Sequence, residues 1–297
     1  MTLTRSKATV FVFLASIIWG ATFVAQRIAG DSMEAFTYNG VRFALGSLAL
    51  LPVIILYEKT DPAKTRRTWY VGLAGGLVLF FGANLQQLGI VLSDSSSSAS
   101  EAGFITGLYT VLVPIFGLAL GRKTSVFTWV GAVLAFGGLA LISTGPEGLA
   151  SVQTSDLFLV AGAVFWAVHI LLIDRYVHEI HPLRFAAVQF AVCSALSMAA
   201  AFAFETVSLD GIRAGIVPIL FGGLLSSGVA YTLQIFGQRK VAPAKAAIIF
   251  SLEAVFAALS EAVLLGELMT PRKYIGASVI FAAIILSQRN GRRRATK

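Results

Sequence analysis

The stretch SLEAVFAALSEAVLLGE, residues 251–267, places three carboxylates, Glu253, Glu261 and Glu267, among apolar side chains. The meaning of this pattern depends on the solvent that surrounds it. Of the 297 residues, 57% are hydrophobic and only 13% are charged, and the mean hydropathy is +0.80. A soluble domain carries about 25% charged residues. The composition therefore predicts that lipid surrounds most of the chain.

Ten apolar segments are long enough to cross a bilayer, which takes about 20 helical residues. The connections between them are short and leave no room for a soluble domain. We therefore predict an all-α membrane protein with ten transmembrane helices. These spans, numbered 1 to 10, are 8–29, 35–57, 69–92, 101–121, 124–144, 156–177, 182–205, 213–238, 243–265 and 271–288.

The distribution of lysine and arginine predicts the orientation, because cytoplasmic loops carry an excess of both. With the N-terminus inside, 18 of the 23 basic residues fall in inside segments. We therefore predict that both termini are cytoplasmic, in a multi-pass protein of the inner (plasma) membrane of a bacterial cell. The basic residues form short clusters between apolar runs, which argues against a nucleic-acid partner.

The two halves of the chain repeat each other. We predict two units, 1–147 and 148–297, with five spans each. Because five is an odd number, the units cross the membrane in opposite senses, an arrangement typical of secondary transporters with a site near the midplane. At an offset of 147, Trp19 matches Trp166, Phe43 matches Phe190 and Gln87 matches Gln234, and at an offset of 145 Gly121 matches Gly266.

These paired halves, together with AGFITGLYTVLVP (102–114) and SLEAVFAALSEAVLLGELMT (251–270), resemble the EamA type of the drug/metabolite transporter superfamily. The resemblance covers almost the whole chain. It implies a ten-helix export carrier with a central cavity lined mainly by spans 1, 3, 4, 6, 8 and 9. Glu253 and Glu267 match two glutamates of the family pattern, whereas Arg122 stands where a glutamate is common in the first half.

Polar residues recur at equivalent depths in both halves. Trp19 and Trp166 fall near the middle of their spans, and spans 3 and 8 each carry a polar pair three residues apart, on one helix face. These residues are expected to line a binding cavity; the alternative is that they hydrogen-bond neighbouring helices. The predicted substrate-binding residues are Trp19, Asn84, Gln87, Tyr109, Trp166, His169, Tyr231, Gln234 and Glu253.

Placing a charged side chain in the hydrocarbon region of a bilayer costs free energy, so acidic and basic residues inside spans must be surrounded by protein or face a water-filled cavity. Glu253 is expected either to contact substrate or protons or to be hydrogen-bonded to a neighbouring helix. Glu261 is expected to pair with Arg42 or Arg27. Arg42 itself is expected to contact an anionic solute, to reach the interface, or to pair with acidic residues nearby. A bend in span 4 is expected at Pro114.

The sequence thus predicts a secondary carrier that exports small polar or amphipathic metabolites, such as amino acids, related compounds or drugs, by alternating access. Coupling to protons and uncoupled facilitated transport are both compatible with the residues. The alternatives are a carrier of phosphorylated or nucleotide-linked solutes, which would need several basic residues in the spans, and a channel. We expect no enzymatic activity, no cofactor and no metal. The expected partners are a small-molecule substrate and the lipid bilayer, and the chain is expected to be a monomer or homodimer.

Overall fold

The computed structural model describes residues 3–59, 61–93, 98–143, 153–266 and 269–289. Within these ranges every regular element is a helix, which confirms the predicted all-α class. The helices are α1 (Arg5–Gly30), α2 (Ala35–Tyr57), α3 (Pro62–Val91), α4 (Ser98–Thr106), α5 (Tyr109–Ala119), α6 (Val126–Ser143), α7 (Thr154–Tyr176), α8 (Pro182–Phe204), α9 (Leu209–Ala214), α10 (Ile216–Leu220), a π-helix (Phe221–Tyr231), α11 (Thr232–Gln238), α12 (Pro243–Phe250), α13 (Leu252–Leu264) and α14 (Pro271–Gln288).

Eight helical stretches of the described chain are long and apolar enough to cross a membrane. They correspond to spans 1 to 4 and 6 to 9. Span 5 is a shorter apolar helix, Val126–Ile142, and span 10 is α14, whose first turn contains Arg272 and Lys273. The chain is a multi-pass membrane protein. Glu267 lies outside the described residues, and the cytoplasmic placement of the termini stays a prediction.

Helices α6 and α14 cross at close range, and small residues make this crossing possible. A Cβ added to Gly138 would lie 2.7 Å from the carbonyl oxygen of Gly276, and one added to Gly276 would lie 2.6 Å from that of Gly138. The two backbones therefore touch. This contact joins span 5 of the first repeat to span 10 of the second.

Helices α2 and α8 are equivalent elements of the two repeats, and each one caps the other. Glu205, at the end of α8, accepts hydrogen bonds from the backbone N–H groups of Phe36 and Thr37, both at 2.7 Å. Glu58, at the end of α2, accepts from the N–H groups of Leu183 and Arg184 at 2.8 and 3.1 Å. Both carboxylates satisfy unpaired donors at a helix N-terminus and interact favourably with its dipole.

Spans 4 and 9 are each broken into two helices at equivalent positions. The first break separates Thr106 from Tyr109 and the second lies at Ser251. At these points the backbone tightens, with hydrogen bonds between residues three apart, such as Leu108 N to Ile105 O at 3.1 Å. Pro114 lies inside α5, and the break comes nearly two turns earlier, so the break is not at the proline; the bend expected at Pro114 itself stays a prediction.

Span 8 differs from its repeat partner, span 3. Helix α3 runs without interruption from Pro62 to Val91, whereas Phe221–Tyr231 is a π-helix between α10 and α11. The hydroxyl of Ser227 donates to the carbonyl oxygen of Gly222 at 2.9 Å, five residues earlier. A π-helix has hydrogen bonds from i to i+5 and is therefore wider than an α-helix, so the residues that follow it are rotated about the helix axis.

Candidate functional site

A cavity of about 50 Å³ lies between the two repeats, around the breaks of spans 4 and 9. Its lining comes from spans 1, 3, 4, 6, 8 and 9, with one residue of span 2. The lining residues are Trp19, Thr22, Phe23, Gln26, Arg42, Gln86, Thr106, Tyr109, Trp166, Ile170, Ser226, Tyr231, Gln234, Phe250 and Glu253. Six of the nine residues predicted from the sequence are among them: Trp19, Tyr109, Trp166, Tyr231, Gln234 and Glu253.

Aromatic rings form one wall of the cavity. The ring of Trp19 packs against Tyr231 at 4.9 Å and against Phe250 at 5.1 Å between centroids. Trp166 lies 6.3 Å from Tyr231 on the other side. Tyr231 thus stands between the two repeat-related tryptophans. Such rings offer apolar contact area with few rotatable bonds, and their polar tips can still hydrogen-bond.

The two tryptophans differ in how their indole N–H groups are used. Trp166 Nε1 donates to Gln86 Oε1 at 2.9 Å, a bond that joins the second repeat to the first. The position equivalent to Gln86 in the second repeat is Leu233, which has no acceptor in its side chain. Correspondingly, Trp19 Nε1 is buried without a hydrogen-bond partner among the described residues.

Two further polar atoms on the cavity lining lack partners within the described part of the chain, Thr106 Oγ1 and Gln234 Oε1. Both residues are buried, with 3% and 2% of their surface exposed. Buried polar atoms in folded proteins are nearly always hydrogen-bonded, so each exception needs an explanation. Together with Trp19 Nε1 they supply donor and acceptor groups on one small cavity, which a polar solute can satisfy.

Glu253 and Tyr109 join the two broken spans at the cavity. Tyr109 is the first residue of α5, and Glu253 is in the first turn of α13. The Tyr109 hydroxyl donates to Glu253 Oε1 at 2.9 Å. The carboxyl group is therefore sheltered from lipid, and the expected hydrogen bond to a neighbouring helix is present. Glu253 also lines the cavity, whereas its contact with substrate or protons stays a prediction.

Arg42 lines the cavity from span 2 and is 3% exposed. Its Nε donates to Asn39 Oδ1 at 2.7 Å. Of the two partners expected for Glu261, Arg42 is wrong, because Glu261 accepts hydrogen bonds from the backbone N and the hydroxyl of Ser100, and Lys273 Nζ lies 3.9 Å from its carboxylate. Glu261 thus fixes the first turn of α4 to α13. The pairing with Arg27 stays a prediction.

Three residues predicted from the sequence lie behind the cavity wall. Gln87 accepts a hydrogen bond from the side-chain amide of Gln26, which lines the cavity, and donates one to the carbonyl oxygen of Gln26. Asn84 accepts from Asn39 at 2.9 Å and donates to Ser197 at 2.8 Å. His169 bonds to Gln189 at 2.8 Å and packs edge-on against Trp166 and Tyr231. They support lining residues and do not line the cavity themselves.

The winding of span 8 accounts for the difference between Gln87 and its repeat partner. In the regular α3 it is Gln86 that faces the cavity, whereas after the π-helix it is Gln234, the equivalent of Gln87. An offset of 147 along the sequence therefore does not preserve the direction of these two side chains. The signal that could have pointed to span 8 is its Gly- and Ser-rich run, FGGLLSSG (221–228).

A second, larger cleft of about 1220 Å³ lies at the end of the molecule where α5 and α6 are connected. Helix α5 lines both spaces: Tyr109 faces the cavity, and Val113 and Pro114 face the cleft. Tyr109 and Val113 belong to one apolar cluster with Phe250, and this cluster separates the two spaces. The basic residues on the cleft are Arg5, Arg122, Lys123, Lys240 and Lys245.

Comparison with known proteins places the chain in a family. The model of the EamA-like transporter family matches residues 6–144 and again 153–288. The chain belongs to the EamA-like transporter family. Its relatives include an uncharacterized transporter of Archaeoglobus fulgidus, 32% identical over 95% of this chain and 86% of the relative. Another is the uncharacterized inner membrane transporter YedA of Escherichia coli, 24% identical over 93% of this chain and 88% of the relative.

A solved crystal structure has the same fold, with a TM-score of 0.79 at 18% identity, over 96% of this chain and 97% of that one. At this identity the likeness extends to the fold alone. The family match thus establishes that this is a membrane transporter with the two-repeat EamA architecture.

Proposed function

We propose that this protein is a secondary carrier that moves small polar or amphipathic metabolites, such as amino acids, related compounds or drugs, outward across the inner membrane by alternating access. The observation that carries the proposal is the cavity between the repeats. It combines an aromatic wall with three polar atoms, on Trp19, Thr106 and Gln234, that have no hydrogen-bond partner among the described residues. This is the composition of a small-molecule site, mostly apolar with a few polar groups.

The size of the cavity supports a conformational cycle. A drug-sized ligand occupies a pocket of about 300–1,000 Å³, whereas this cavity measures about 50 Å³. A solute can therefore enter only if the surrounding helices move apart. The breaks of spans 4 and 9 adjoin the cavity, and discontinuous helices of this kind surround the sites of many transporters.

Charge on the cavity favours this function over the alternative of a carrier for phosphorylated solutes. Arg42 is the only basic residue among the described residues that line the cavity, and Glu253 also lines it. Phosphate groups are usually bound by several basic side chains or backbone N–H groups. Outward direction follows the resemblance to exporters, and proton coupling would use Glu253.

Flux through purified protein in liposomes tests the proposal. Radiolabelled amino acids, nucleosides and amphipathic cations are offered for counterflow against the unlabelled compound, and saturable counterflow of at least one is expected. Conductance that does not saturate would instead indicate a channel, and a chemically altered solute would indicate an enzyme. Vesicles of defined orientation report the direction, and labelling of tagged termini from each side reports the cytoplasmic placement.

Variants of the tryptophans link the flux to the cavity. Trp19→Ala and Trp166→Ala remove large apolar contact areas, so the apparent affinity should fall roughly tenfold, as expected for loss of a buried aromatic side chain. Trp69→Ala is the matched control, because Trp69 is 58% exposed and lies away from the cavity. Equal effects of all three substitutions would reject the cavity as the substrate site.

A further inference from the structure

Arg42 is a buried cation that is held in a defined position. Its guanidinium carbon lies 4.4 Å from the ring centroid of Phe43 and 5.1 Å from that of Tyr38. Its Nε donates to Asn39 Oδ1 at 2.7 Å. Across the helix interface, a Cβ added to Gly222 would lie 3.1 Å from Arg42 Cδ, so span 8 confines the aliphatic part of the side chain.

The hydrogen bonds behind Arg42 fix this position further. Asn39 Nδ2 donates to the carbonyl oxygen of Ala83 at 3.1 Å and to Asn84 Oδ1 at 2.9 Å. Asn84 donates in turn to Ser197 Oγ at 2.8 Å. The chain Arg42–Asn39–Asn84–Ser197 connects three helices, α2, α3 and α8. A group with such support is oriented before any ligand arrives, which lowers the entropy cost of binding.

Within the described part of the chain, the guanidinium group of Arg42 has no carboxylate partner. Among the described residues no aspartate or glutamate lies within ion-pairing distance of Arg42, and its one hydrogen bond is made by Nε. Glu253 lines the same cavity but is bonded to Tyr109. A buried charge is costly unless it is paired. The side chain lines the cavity, so the counter-charge can approach from there.

We propose that Arg42 binds an anionic group of the transported solute, a carboxylate or a similar oxyanion, and so determines which solutes the carrier accepts. This inference rests on the proposed carrier function. Arginine presents planar N–H donors that match two oxygens of a carboxylate at once, in addition to the charge. The same chemistry would also attract an inorganic anion such as chloride, and the experiment separates the two sources.

Matched pairs of acids and carboxamides test the assignment on the full-length purified protein. The probes are amino acids, 2-hydroxy acids and short fatty acids, each paired with its own carboxamide. Binding is followed by tryptophan fluorescence, since Trp19 and Trp166 line the cavity, and transport by counterflow. The wild-type protein should prefer at least one carboxylate over its carboxamide by about tenfold or more, in line with a charge-assisted hydrogen bond.

Variants at the same position complete the test. Arg42→Gln should bring the ratio of acid to carboxamide affinity close to one, whereas Arg42→Lys, which keeps the charge but loses the planar donors, should retain part of it. Arg213→Gln is the control, because Arg213 is an exposed arginine paired with Asp210, and it should leave the ratio unchanged. The wild-type ratio does not depend on any variant folding correctly.

Several results would overturn the assignment. They are equal wild-type affinity for acid and carboxamide in every pair, an undiminished ratio in Arg42→Gln, or an anion dependence satisfied by chloride alone. Saturable counterflow of neutral or cationic solutes without binding of any carboxylate would also reject the role of Arg42, while the carrier function would stand. Conversely, selective carboxylate binding without saturable counterflow would reject the carrier function and with it the role of Arg42 in selecting transported solutes, and would leave Arg42 only as an anion-binding residue.

Discussion

Removing the reciprocal caps of α2 and α8 should destabilise the protein by a magnitude that can be worked out from their contacts. Glu205 accepts two backbone N–H bonds and one from the Thr37 hydroxyl, each at 2.7 Å. Loss of an N-terminal cap costs about 0.5–2 kcal/mol, and loss of the charge near a helix N-terminus costs about 0.3–1 kcal/mol more. We therefore expect Glu205→Ala to lower the free energy of unfolding by about 1–3 kcal/mol.

The repeat-related substitution Glu58→Ala should have a similar effect, because Glu58 accepts two N–H bonds and lies 3.4 Å from the Arg184 guanidinium. The two caps lie at opposite ends of a 23-residue helix, roughly 35 Å apart at ~1.5 Å per residue. Distant sites contribute independently, so the double variant should lose the sum of the two single effects.

Thermal unfolding of the purified protein in detergent measures these losses. Asp210→Ala is the matched control, because Asp210 is an exposed acid in a surface ion pair, 92% of its side chain being accessible, and such pairs contribute little. Glu205→Gln, which keeps an acceptor but loses the charge, should lie between the control and Glu205→Ala. The reasoning is refuted if Glu205→Ala unfolds at the same temperature as Asp210→Ala.

The remaining predictions concern the α6–α14 crossing, the cavity wall and the buried acid. Gly138→Ala should cost about 1–3 kcal/mol of stability through overpacking, whereas Gly137→Ala, with nothing within 4 Å of the added Cβ, should be neutral or stabilising; equal unfolding temperatures would contradict the crossing. Gln86→Leu should leave Trp166 Nε1 without an acceptor and shift its fluorescence emission, with a stability loss of about 1–3 kcal/mol; an unchanged spectrum would count against that bond. Glu253→Gln should abolish the dependence of flux on a proton gradient if this acid couples transport to protons, and an unaltered dependence in proteoliposomes would exclude that role.

Composition and repetition made the architecture predictable. The low share of charged residues pointed to lipid, and the matches at offsets of 147 and 145 pointed to two units in opposite senses. The structure supplies a physical counterpart: the repeat-related Gly121 and Gly266 both end their helices with a positive φ, 73° and 74°, which glycine adopts without strain. Apolar segment length and loop charge are properties of short sequence segments. They therefore predict the number of spans without any knowledge of tertiary contacts.

The direction of individual side chains was less predictable. Trp19, Trp166 and Glu253 lie on the cavity, as expected from their depth in the spans. However, Gln87 lies behind Gln26, and Asn84 lies behind Asn39, which in turn supports Arg42. Their hydrogen-bond partners on neighbouring helices, and not their depth in the span, account for these positions. Sequence spacing shows which residues share one face of a helix, but it does not show which neighbouring helix packs against that face.

The reciprocal caps could be found from the sequence only with the repeat alignment already in hand. Glu58 and Glu205 are themselves related by the offset of 147, and so are their partners Phe36 and Leu183. Each glutamate taken alone looks like an ordinary acidic residue at a helix end. Their role arises from the antiparallel contact of two equivalent helices, which no local pattern encodes.

The unequal winding of spans 3 and 8 bears on the alternating access that we propose for this protein. The two repeats have different backbone conformations at equivalent helices: span 3 is a regular α-helix, and span 8 contains a π-helix. The chain thus shows two conformations of one repeat unit. If opening to the other side of the membrane is related to this form by the symmetry of the inverted repeats, the two halves would exchange these shapes and the fold would stay the same. Span 3 would then adopt the π-helical turns and span 8 the regular α-helical ones. The backbone shape of each half in the opposite conformation would thus be the shape that the other half has here.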